Sequence, residues 1–318
     1  METDVSVIIP TYNRVSFLKE AVESCFEEND DLQVEVVVVD DGSTDGTREW
    51  IQGLNDDRIT YLRQSENQGA QVARNTGLQT ASGDTIKFLD SDDYLYPGVL
   101  LEQWRMLTET GADVCYGPID IVDGTGRIQG RNSNPAVEDL LAGIATGAVS
   151  TYPHVFLYQA EMARRGIWQP EVPYHQDTVY ALTIAARNPL CVQVDTCVGA
   201  HRTHERLRIT TQKKQIATSE KIEKKFEYLV DAFQQRRQQS TVSDDVRKEV
   251  ARGLWQNAHK MAPHDFGRFA SMYRQIRNIS PNFSPPRSQL LLRMLDRIIG
   301  PVLAERIVNP VRTVKLNI

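Results

Sequence analysis

Three apolar runs, each followed at once by polar turn residues, constrain the fold of this chain most strongly. The runs span residues 5–9, 34–39 and 85–89 and are rich in β-branched side chains. Such runs are typical of strands buried in a parallel sheet. The turns after the second and third runs, 40–45 and 90–93, are acidic, and the turn after the first is polar and aromatic. Because ligands of parallel sheets bind beyond the carboxyl ends of the strands, the three turns are expected to form one site.

Segments with helical and strand patterns alternate through the first 117 residues. Alternation of this kind favours βαβ units, so the predicted fold class is α/β, with a mostly parallel sheet flanked by helices. Helices are predicted at 15–26, 44–54, 69–81 and 97–110, and further strands at 59–62 and 112–117.

The pattern changes twice further along the chain. Residues 118–210 are less regular, and from residue 211 onward long polar stretches with helical spacing replace the alternation. We therefore predict one domain over 1–210, with halves 1–117 and 118–210, and a helical C-terminal appendage over 211–318. Within the less regular half we predict a hairpin turn at 124–126, a loop at 143–153, a helix at 177–187 and a strand at 191–196.

The charge balance and the lack of long apolar stretches limit the expected partners and location. The net charge is −6, which argues against a nucleic-acid partner. Neither a secretory signal nor a membrane span is expected, because no basic segment with an apolar stretch begins the chain and no stretch is long enough to span. The four cysteines lack zinc-type pairing and are expected to be core thiols in a reducing compartment. These features predict a cytoplasmic protein.

Five short motifs, in order along the chain, resemble those of family 2 glycosyltransferases, which are inverting nucleotide-sugar enzymes with a GT-A fold. The resemblance covers residues 5–117 well and 118–210 loosely, and we find none for 211–318. It implies that 1–117 binds the nucleotide and 118–210 the acceptor. The motifs are Val7-Ile8-Ile9-Pro10-Thr11-Tyr12-Asn13-Arg14, Val39-Asp40-Asp41-Gly42-Ser43-Thr44-Asp45, Asn67-Gln68-Gly69, Ala73-Arg74-Asn75-Thr76-Gly77 and Phe88-Leu89-Asp90-Ser91-Asp92-Asp93.

The activity that this resemblance implies is a metal-dependent, inverting transfer of a sugar. The expected donor is a UDP-sugar, and the acceptor is a hydroxyl of an unidentified carbohydrate or lipid-linked molecule in polysaccharide or glycoconjugate synthesis. The non-enzymatic alternative is a nucleotide-sugar-binding or assembly module of the same fold. A dehydrogenase is disfavoured, because the turn after the first strand lacks the Gly-x-Gly-x-x-Gly pattern of dinucleotide sites.

Acidic and aromatic residues of the first two turns are the candidate nucleotide site. Asp40 and Asp41 could accept hydrogen bonds from a base imide and a ribose hydroxyl, and the alternative is a solvated turn that caps the next helix. The resemblance implies that Asp41 recognises uracil. It also implies that the ring of Tyr12 and the backbone around it line the base pocket, although a half-buried packing ring remains the alternative for Tyr12. The further residues assigned to nucleotide binding are Pro10, Thr11, Arg14 and Asp92.

The third turn resembles the metal-binding D-x-D motif of the family. Carboxylate oxygens suit Mn²⁺ or Mg²⁺, which would bridge the protein to the diphosphate. The resemblance implies that Asp92 and Asp93 lie nearest the ribose and the metal, with Asp90 in support. It also makes His204 a candidate metal ligand or phosphate donor, and the alternative there is a solvated loop histidine. For the acidic cluster, the alternative is an ordinary strand-end turn.

Arg74 and Asp177 complete the set of candidate site residues. A guanidinium at Arg74 could reach the diphosphate or the base edge, and a surface ion pair is the alternative. Asp177 is the candidate general base, since inverting transfer needs a base on the acceptor side of the anomeric carbon. Relatives usually carry Glu-Asp at this point, whereas this chain has Gln176 before the aspartate. The alternative for Asp177 is a helix N-cap.

The C-terminal run 290–299 is apolar with interleaved arginines. One interpretation is a helix that lies on a membrane surface beside a lipid-linked acceptor, which would place the protein peripherally at the inner face of the membrane. The preferred interpretation is a helix packed on the catalytic domain or on a second subunit of a homo-oligomer.

Overall fold

A computed structural model of the chain describes residues 3–29, 31–203, 218–286, 296 and 300–306. The chain forms two compact units. The first unit comprises residues 1–140 and 149–212, and the second comprises 141–148 and 213–318. The inclusion of 141–148 in the second unit has no counterpart in the sequence pattern, which predicts a plain loop over 143–153.

Strands and helices alternate through the first unit, as the sequence pattern predicts. The described strands are β1 (Val5–Thr11), β2 (Val34–Asp40), β3 (Ile59–Arg63), β4 (Thr85–Phe88), β5 (Tyr94–Leu95), β6 (Val114–Tyr116), β7 (Ile119–Val122), β8 (Ile128–Asn132), β9 (Phe156–Gln159), β10 (Cys191–Gln193) and β11 (Gly199–Arg202). The helices up to residue 185 are α1 (Val15–Ser24), α2 (Thr47–Leu54), α3 (Ala70–Thr80), α4 (Val99–Thr110), α5 (Leu140–Thr146), α6 (Ala160–Arg165) and α7 (Gln176–Ala185).

The main sheet has seven strands in the order β10-β6-β9-β4-β1-β2-β3. Its neighbours are parallel except at β9, which runs antiparallel to both β4 and β6. Every residue of β1 is buried, as expected for a strand covered by helices on both faces. This architecture confirms the predicted fold class and brings the carboxyl ends of β1, β2 and β4 together at one edge.

A second, smaller sheet has four strands in the order β5-β11-β7-β8. Its strand β5 begins directly after the acidic turn 90–93, and β11 pairs antiparallel with it, with Gly199 opposite Leu95. The pairing brings a segment from near residue 200 beside the third predicted turn. A link of this kind cannot be read from local sequence, because about a hundred residues separate the two strands.

Close packing of α3 on the sheet sets the position of the helix. A β-carbon at Gly77 would lie 2.4 Å from Cγ2 of Ile8 in β1, so only glycine permits this approach. The helix that the sequence predicts from residue 44 begins instead at Thr47, because Asp45 accepts hydrogen bonds from the backbone N–H (3.3 Å) and the hydroxyl (2.6 Å) of Thr47 and holds the preceding residues in a turn.

The predicted loop over 143–153 is wrong in its first part, since α5 extends to Thr146. Small residues here serve packing rather than flexibility. Within the second unit, a β-carbon on Gly253 would lie 2.2 Å from the carbonyl oxygen of Ala145, so the two backbones are in close contact.

Helices make up the described part of the second unit beyond residue 213. They are α8 (Thr218–Gln239), α9 (Asp244–Met261) and α10 (Phe266–Ile279), with a further helical turn over 301–306. Ser243 and Asp265 cap α9 and α10 by accepting backbone N–H groups. No helix among the described residues combines the length and hydropathy needed to cross a bilayer. The apolar run 290–299 lies outside the described residues except at position 296.

Candidate active site

A cavity of about 290 Å³ opens at the carboxyl ends of β1, β2 and β4. Nine of the candidate residues line it, from all three predicted turns and from α3 and α7. They are Pro10, Thr11, Tyr12, Arg14, Asp41, Arg74, Asp90, Asp92 and Asp177. Asp40 and Asp93 are not part of the lining, and His204 lies outside the described residues.

The two neighbouring acids after β2 have different surroundings. Asp41 lines the cavity, and its two oxygens accept backbone N–H groups of Gln68 (2.7 Å) and Gly69 (2.8 Å), which fixes the start of α3. Asp40 is fully buried and accepts the backbone N–H of Ser43 at 2.7 Å and the hydroxyl of Tyr61 at 2.5 Å. Asp40 is the last residue of β2 and closes the turn, while Asp41 follows the strand and faces the cavity.

The first turn offers an open aromatic ring and a buried hydroxyl to the same cavity. The ring of Tyr12 is 42% exposed, so it is a wall of the cavity and not a packing ring of the core. The hydroxyl of Thr11 is buried and has no hydrogen-bond partner among the described residues. Unpaired buried hydroxyls are costly, so this oxygen is poised for a polar ligand.

Two arginines pair with two carboxylates across the cavity. Arg14 pairs with Asp92, and Arg74 pairs with Asp90. Arg74 is only 4% exposed, and its Nε and Nη1 have no hydrogen-bond partner among the described residues. Burial works against its charge, but Asp90 and Asp177 outweigh it and raise the pKa of Arg74. A permanent cation with unused donors is thus present beside the cavity.

Asp93 lies behind the cavity wall, with its carboxylate committed to neighbours. One oxygen accepts the backbone N–H of Arg202 at 2.8 Å. The other lies 3.1 Å from Nδ1 of His201 and 3.3 Å from Nδ1 of His154. Burial opposes the charge of Asp93, but the hydrogen bond with His201 and the nearby imidazole of His154 prevail and hold the pKa of Asp93 well below its usual range. Asp93 therefore orients His201 instead of facing a ligand.

His201 is a member of the cavity lining that the sequence analysis did not select. It is carried by β11, and the ring of Tyr152 lies against its imidazole with centroids 4.2 Å apart. Burial disfavours the imidazolium, but the hydrogen bond to Asp93 outweighs burial and raises the pKa of His201. The local sequence signal for His201 is the alternation of inward and outward residues along a strand that begins at Gly199. This alternation identifies His201 as a site residue only once β11 is known to pair with β5.

Asp177 lies in the first turn of α7 and faces the cavity, 3.8 Å from Nη2 of Arg74. The N-cap of this helix is His175, two positions before Asp177, so the aspartate is not the cap residue. Burial raises the pKa of Asp177 to about 7, Arg74 opposes this rise, and the carboxylates of Asp90 and Asp93 add to it. Its side chain is 38% exposed, so solvent in the cavity screens part of the effect.

The residues of the cavity fit a divalent cation that is bound together with a diphosphate. Among the described residues, no group of three or more His, Cys, Asp or Glu side chains is arranged to hold an ion alone. Asp92 and His201, however, both line the cavity. Mg²⁺ is usually held by one or two carboxylates plus substrate phosphates, and metal-binding histidines usually give their other ring nitrogen to a carboxylate, as His201 does to Asp93.

Parts of this chain are similar to known glycosyltransferases. The sequence profile described as Glycosyl transferase family 2 matches residues 6–167, just over half of the 318 residues. A GalNAc(5)-diNAcBac-PP-undecaprenol beta-1,3-glucosyltransferase of Campylobacter jejuni is 43% identical over 113 residues, which are 35% of this chain and 36% of that protein. The glycosyltransferase GlyA of Streptococcus pneumoniae is 35% identical over 119 residues, 37% of this chain and 17% of GlyA. The chain thus aligns with less than half of either relative.

Solved structures share the fold over nearly the whole chain. Residues 1–349 of TarS from S. aureus, in complex with UDP-GlcNAc, superpose with a TM-score of 0.69 at 17% identity, over 97% of this chain and 91% of that one. The mannosyltransferase PcManGT from Pyrobaculum calidifontis, in complex with GDP-Man and Mn²⁺, gives a TM-score of 0.54 at 18% identity, over 97% and 87%. The likeness to TarS extends past residue 210, where the sequence motifs gave no resemblance.

Proposed function

The chain belongs to glycosyl transferase family 2, and on that premise we propose that it transfers a sugar from a UDP-sugar to an acceptor hydroxyl, with inversion at the anomeric carbon. The observation that carries the proposal is that one cavity gathers Asp41, Asp92 and Asp177 from three separate parts of the chain. A nucleotide-sugar donor has the three matching parts, namely a base, a diphosphate and a reacting carbon.

The base and ribose would lie between the first two turns. Asp41 can accept a hydrogen bond from a base imide while its backbone partners hold it in place, and Tyr12 offers an open ring for stacking. The hydroxyl of Thr11 is a further partner for a polar edge. The complex of TarS with UDP-GlcNAc supports uridine, and the complex of PcManGT with GDP-Man makes guanosine the competing nucleotide.

The diphosphate would lie among positive groups that already face the cavity. Arg14 and Arg74 are paired with Asp92 and Asp90 in this structure, and His201 lines the same wall. Asp92 and His201 are the residues that would hold Mn²⁺ or Mg²⁺, with Asp90 nearby. When bound, such an ion would neutralise the charge that develops on the departing nucleoside diphosphate. Asp93 would act through His201 and not as a direct ligand.

The acceptor hydroxyl would be activated by Asp177. A general base works best when its pKa lies near the working pH, and burial raises the pKa of this carboxyl to about 7. The proton leaves the attacking hydroxyl for the carboxylate as the hydroxyl oxygen displaces the diphosphate on the opposite face of the sugar. Arg74, at 3.8 Å, favours the charged carboxylate and so limits the rise of this pKa.

For the acceptor we propose a carbohydrate or a lipid-linked saccharide in polysaccharide or glycoconjugate synthesis. The name of the Campylobacter relative includes an undecaprenol-linked saccharide, which supports this class. A lipid-linked acceptor would bring the enzyme to the cytoplasmic face of a membrane. Contact of the C-terminal region with that membrane or with a second subunit belongs to the same proposal.

A screen of donors against the purified chain tests the proposal. Melting temperature is measured with UDP-, GDP-, dTDP- and CMP-sugars, with and without Mn²⁺, because a ligand of the native state raises the melting temperature by mass action. We expect the largest rise with a UDP-sugar plus Mn²⁺, together with slow release of UDP from that sugar. Binding without any hydrolysis or transfer would favour the non-catalytic module, and no response to any nucleotide-sugar would overturn the proposal.

A further inference from the structure

The indole ring of Trp168 lies beneath the candidate site and contacts parts of it from several elements. The ring is 1% exposed and is not in the cavity lining. It stacks on Tyr180 of α7, with centroids 4.4 Å apart and planes inclined by 7°. The guanidinium carbon of Arg74 lies 4.2 Å from the same ring's centroid. One side chain therefore contacts both the helix that carries Asp177 and the arginine that faces it.

The strand that leads to the acidic turn contacts the same ring. Phe88, two residues before Asp90, meets Trp168 and Tyr180 edge-on, with a centroid distance of 5.2 Å to each. Edge-to-face aromatic pairs have preferred geometries and add to burial energy, so they restrict relative motion. The Trp168 ring thus links the elements that carry Arg74, Asp90 and Asp177.

The backbone of Trp168 is held from α3. The side chain of Asn75 donates to the carbonyl oxygen of Trp168 at 2.7 Å and accepts its backbone N–H at 3.1 Å. One turn earlier, Gln71 donates to the carbonyl oxygen of Val172 at 3.0 Å. Asn75 directly follows Arg74 in the chain, so the helix that presents the guanidinium also fixes the ring beneath it.

The unpaired atoms of these side chains indicate what the ring does. Nε and Nη1 of Arg74 are buried without partners among the described residues, so the ion pair with Asp90 and the indole face are the closest contacts that hold the guanidinium plane. In the part of the chain that the structure describes, Nε1 of Trp168 is also buried without a partner. Buried indole N–H groups usually find an acceptor, so the aromatic face, and not the N–H, is what this position uses.

We propose that Trp168 is a positioning residue for glycosyl transfer, whose ring holds the Arg74 guanidinium beside Asp90 and Asp177 while the Asn75 amide fixes the ring. The inference rests on the proposed function. A buried cation above an aromatic face is held electrostatically as well as by contact, so loss of the face frees the guanidinium to leave Asp177. Trp168 is not part of the cavity lining, so its effect on the reaction would pass through Arg74.

The test compares an aromatic with an aliphatic replacement, using UDP release from the best donor of the screen. Trp168→Phe keeps an aromatic face and should retain kcat/KM within about threefold of wild type. Trp168→Leu keeps apolar volume without the face and should lose roughly 10- to 30-fold. Equal kcat/KM for the two variants, with both folded by circular dichroism, overturns the inference.

Tyr180→Phe is the matched control for stability. It keeps the ring that stacks on Trp168 but loses the hydrogen bond from its hydroxyl to the carbonyl oxygen of Ala163, 2.9 Å long. The melting temperature should fall while kcat/KM stays within about twofold of wild type, since removal of a buried hydrogen bond destabilises the fold. A loss of activity in Tyr180→Phe that matches Trp168→Leu would mean that both act through stability alone, which overturns the inference.

A double-mutant cycle tests whether the effect passes through Arg74. In an Arg74→Met background, which removes the cation, Trp168→Leu should change kcat/KM by less than about twofold, because coupled residues are non-additive. A full 10- to 30-fold effect in both backgrounds overturns the inference. If Trp168→Leu does not fold, Asn75→Ala replaces it in the cycle with the same two readings. A wild-type protein that neither binds nor cleaves any nucleotide-sugar overturns the proposed function instead, so the two failures are distinct.

Discussion

The turns after β2 and β4 both contain adjacent aspartates, and the structure separates each pair into one interior and one cavity-facing acid. After β2 both acids are buried, but the first, Asp40, lies behind the lining and the second, Asp41, faces the cavity. After β4 the order is reversed, with Asp92 facing the cavity and Asp93 interior. Adjacency in sequence therefore does not mean a shared role.

The partners of the two interior acids differ in kind. Asp40 accepts a backbone N–H and a tyrosine hydroxyl, which close its own turn. Asp93 accepts a backbone N–H and lies against two histidines from distant segments, one of which lines the cavity. Asp40 therefore stabilises its own turn, whereas Asp93 positions a histidine imidazole in the wall of the cavity. A buried carboxylate can thus influence ligand binding by positioning a second residue that lines the cavity.

The largest expected effect is the loss of turnover at Asp177, which lies outside both turns. The acids of the two turns are assigned to ligand binding, whereas Asp177 is assigned to the chemical step. Asp177→Asn keeps size but cannot take a proton, so turnover should fall by about two to four orders of magnitude with UDP affinity nearly unchanged. Wild-type turnover should also fall as the pH drops below about 7, because the carboxyl gains its proton there. Calorimetry with UDP and initial rates against pH measure both, and an Asp177→Asn protein with full turnover would remove Asp177 from the mechanism.

The turn after β4 should give two different defects. Asp92→Ala should remove the part of UDP affinity that depends on Mn²⁺, with little change in melting temperature, and excess chelator should reproduce this in wild type. Asp93→Ala should destabilise the fold by about 3 kcal/mol, because the buried His154 and the partly exposed His201 lose their carboxylate. Metal titrations by calorimetry and thermal melts separate the two. The reverse pattern would return Asp93 to the role of direct ligand.

The turn after β2 should also give one variant with weaker UDP binding and one variant with lower stability, each with a smaller effect than in the turn after β4. Asp41→Ala should weaken UDP binding roughly tenfold or more, the loss of a hydrogen bond to a charged group. Asp40→Ala should cost about 1–3 kcal/mol of stability, since Ser43 N–H and the Tyr61 hydroxyl lose their acceptor. Calorimetry and denaturant unfolding of both variants give the result. Equal UDP affinity in wild type and Asp41→Ala would remove Asp41 from base recognition.

The smallest effect concerns the dependence of stability on pH through His201. Its pKa is raised above the ordinary 6.5, so the stability it contributes is fully present below pH 6.5 and is lost as the pH rises through the folded-state pKa. Asp93 has a lowered pKa, so its contribution is lost only in strong acid and does not overlap this window. Melting temperatures of wild type and His201→Gln between pH 6 and 8.5 test it, with a flatter profile expected for the variant. Parallel profiles would show that His201 does not titrate with folding.

Local sequence was sufficient to predict most helices and strands. It was insufficient to predict the contacts in the site that join segments distant along the chain. The strands at 5–9 and 34–39 are evident because an all-apolar β-branched run has few other stable environments. The predicted helix at 177–187 corresponds to α7, and the hairpin turn at 124–126 lies between β7 and β8. The loop prediction over 143–153 failed at 143–146 because small residues there pack against another backbone, and composition does not distinguish a flexible loop from a close contact.

The sequence by itself determined the fold class, the family and the residues at the sheet edge, because strand periodicity and turn chemistry act over a few neighbouring residues. Only the tertiary structure decided which acid of each pair faces the cavity, that His201 reaches the site through Asp93, and that Trp168 lies under Arg74. These contacts join segments separated by up to about a hundred residues, and their geometry depends on how the two sheets and α3 pack. Periodicity reports which face of an element is buried, but not which partner covers it.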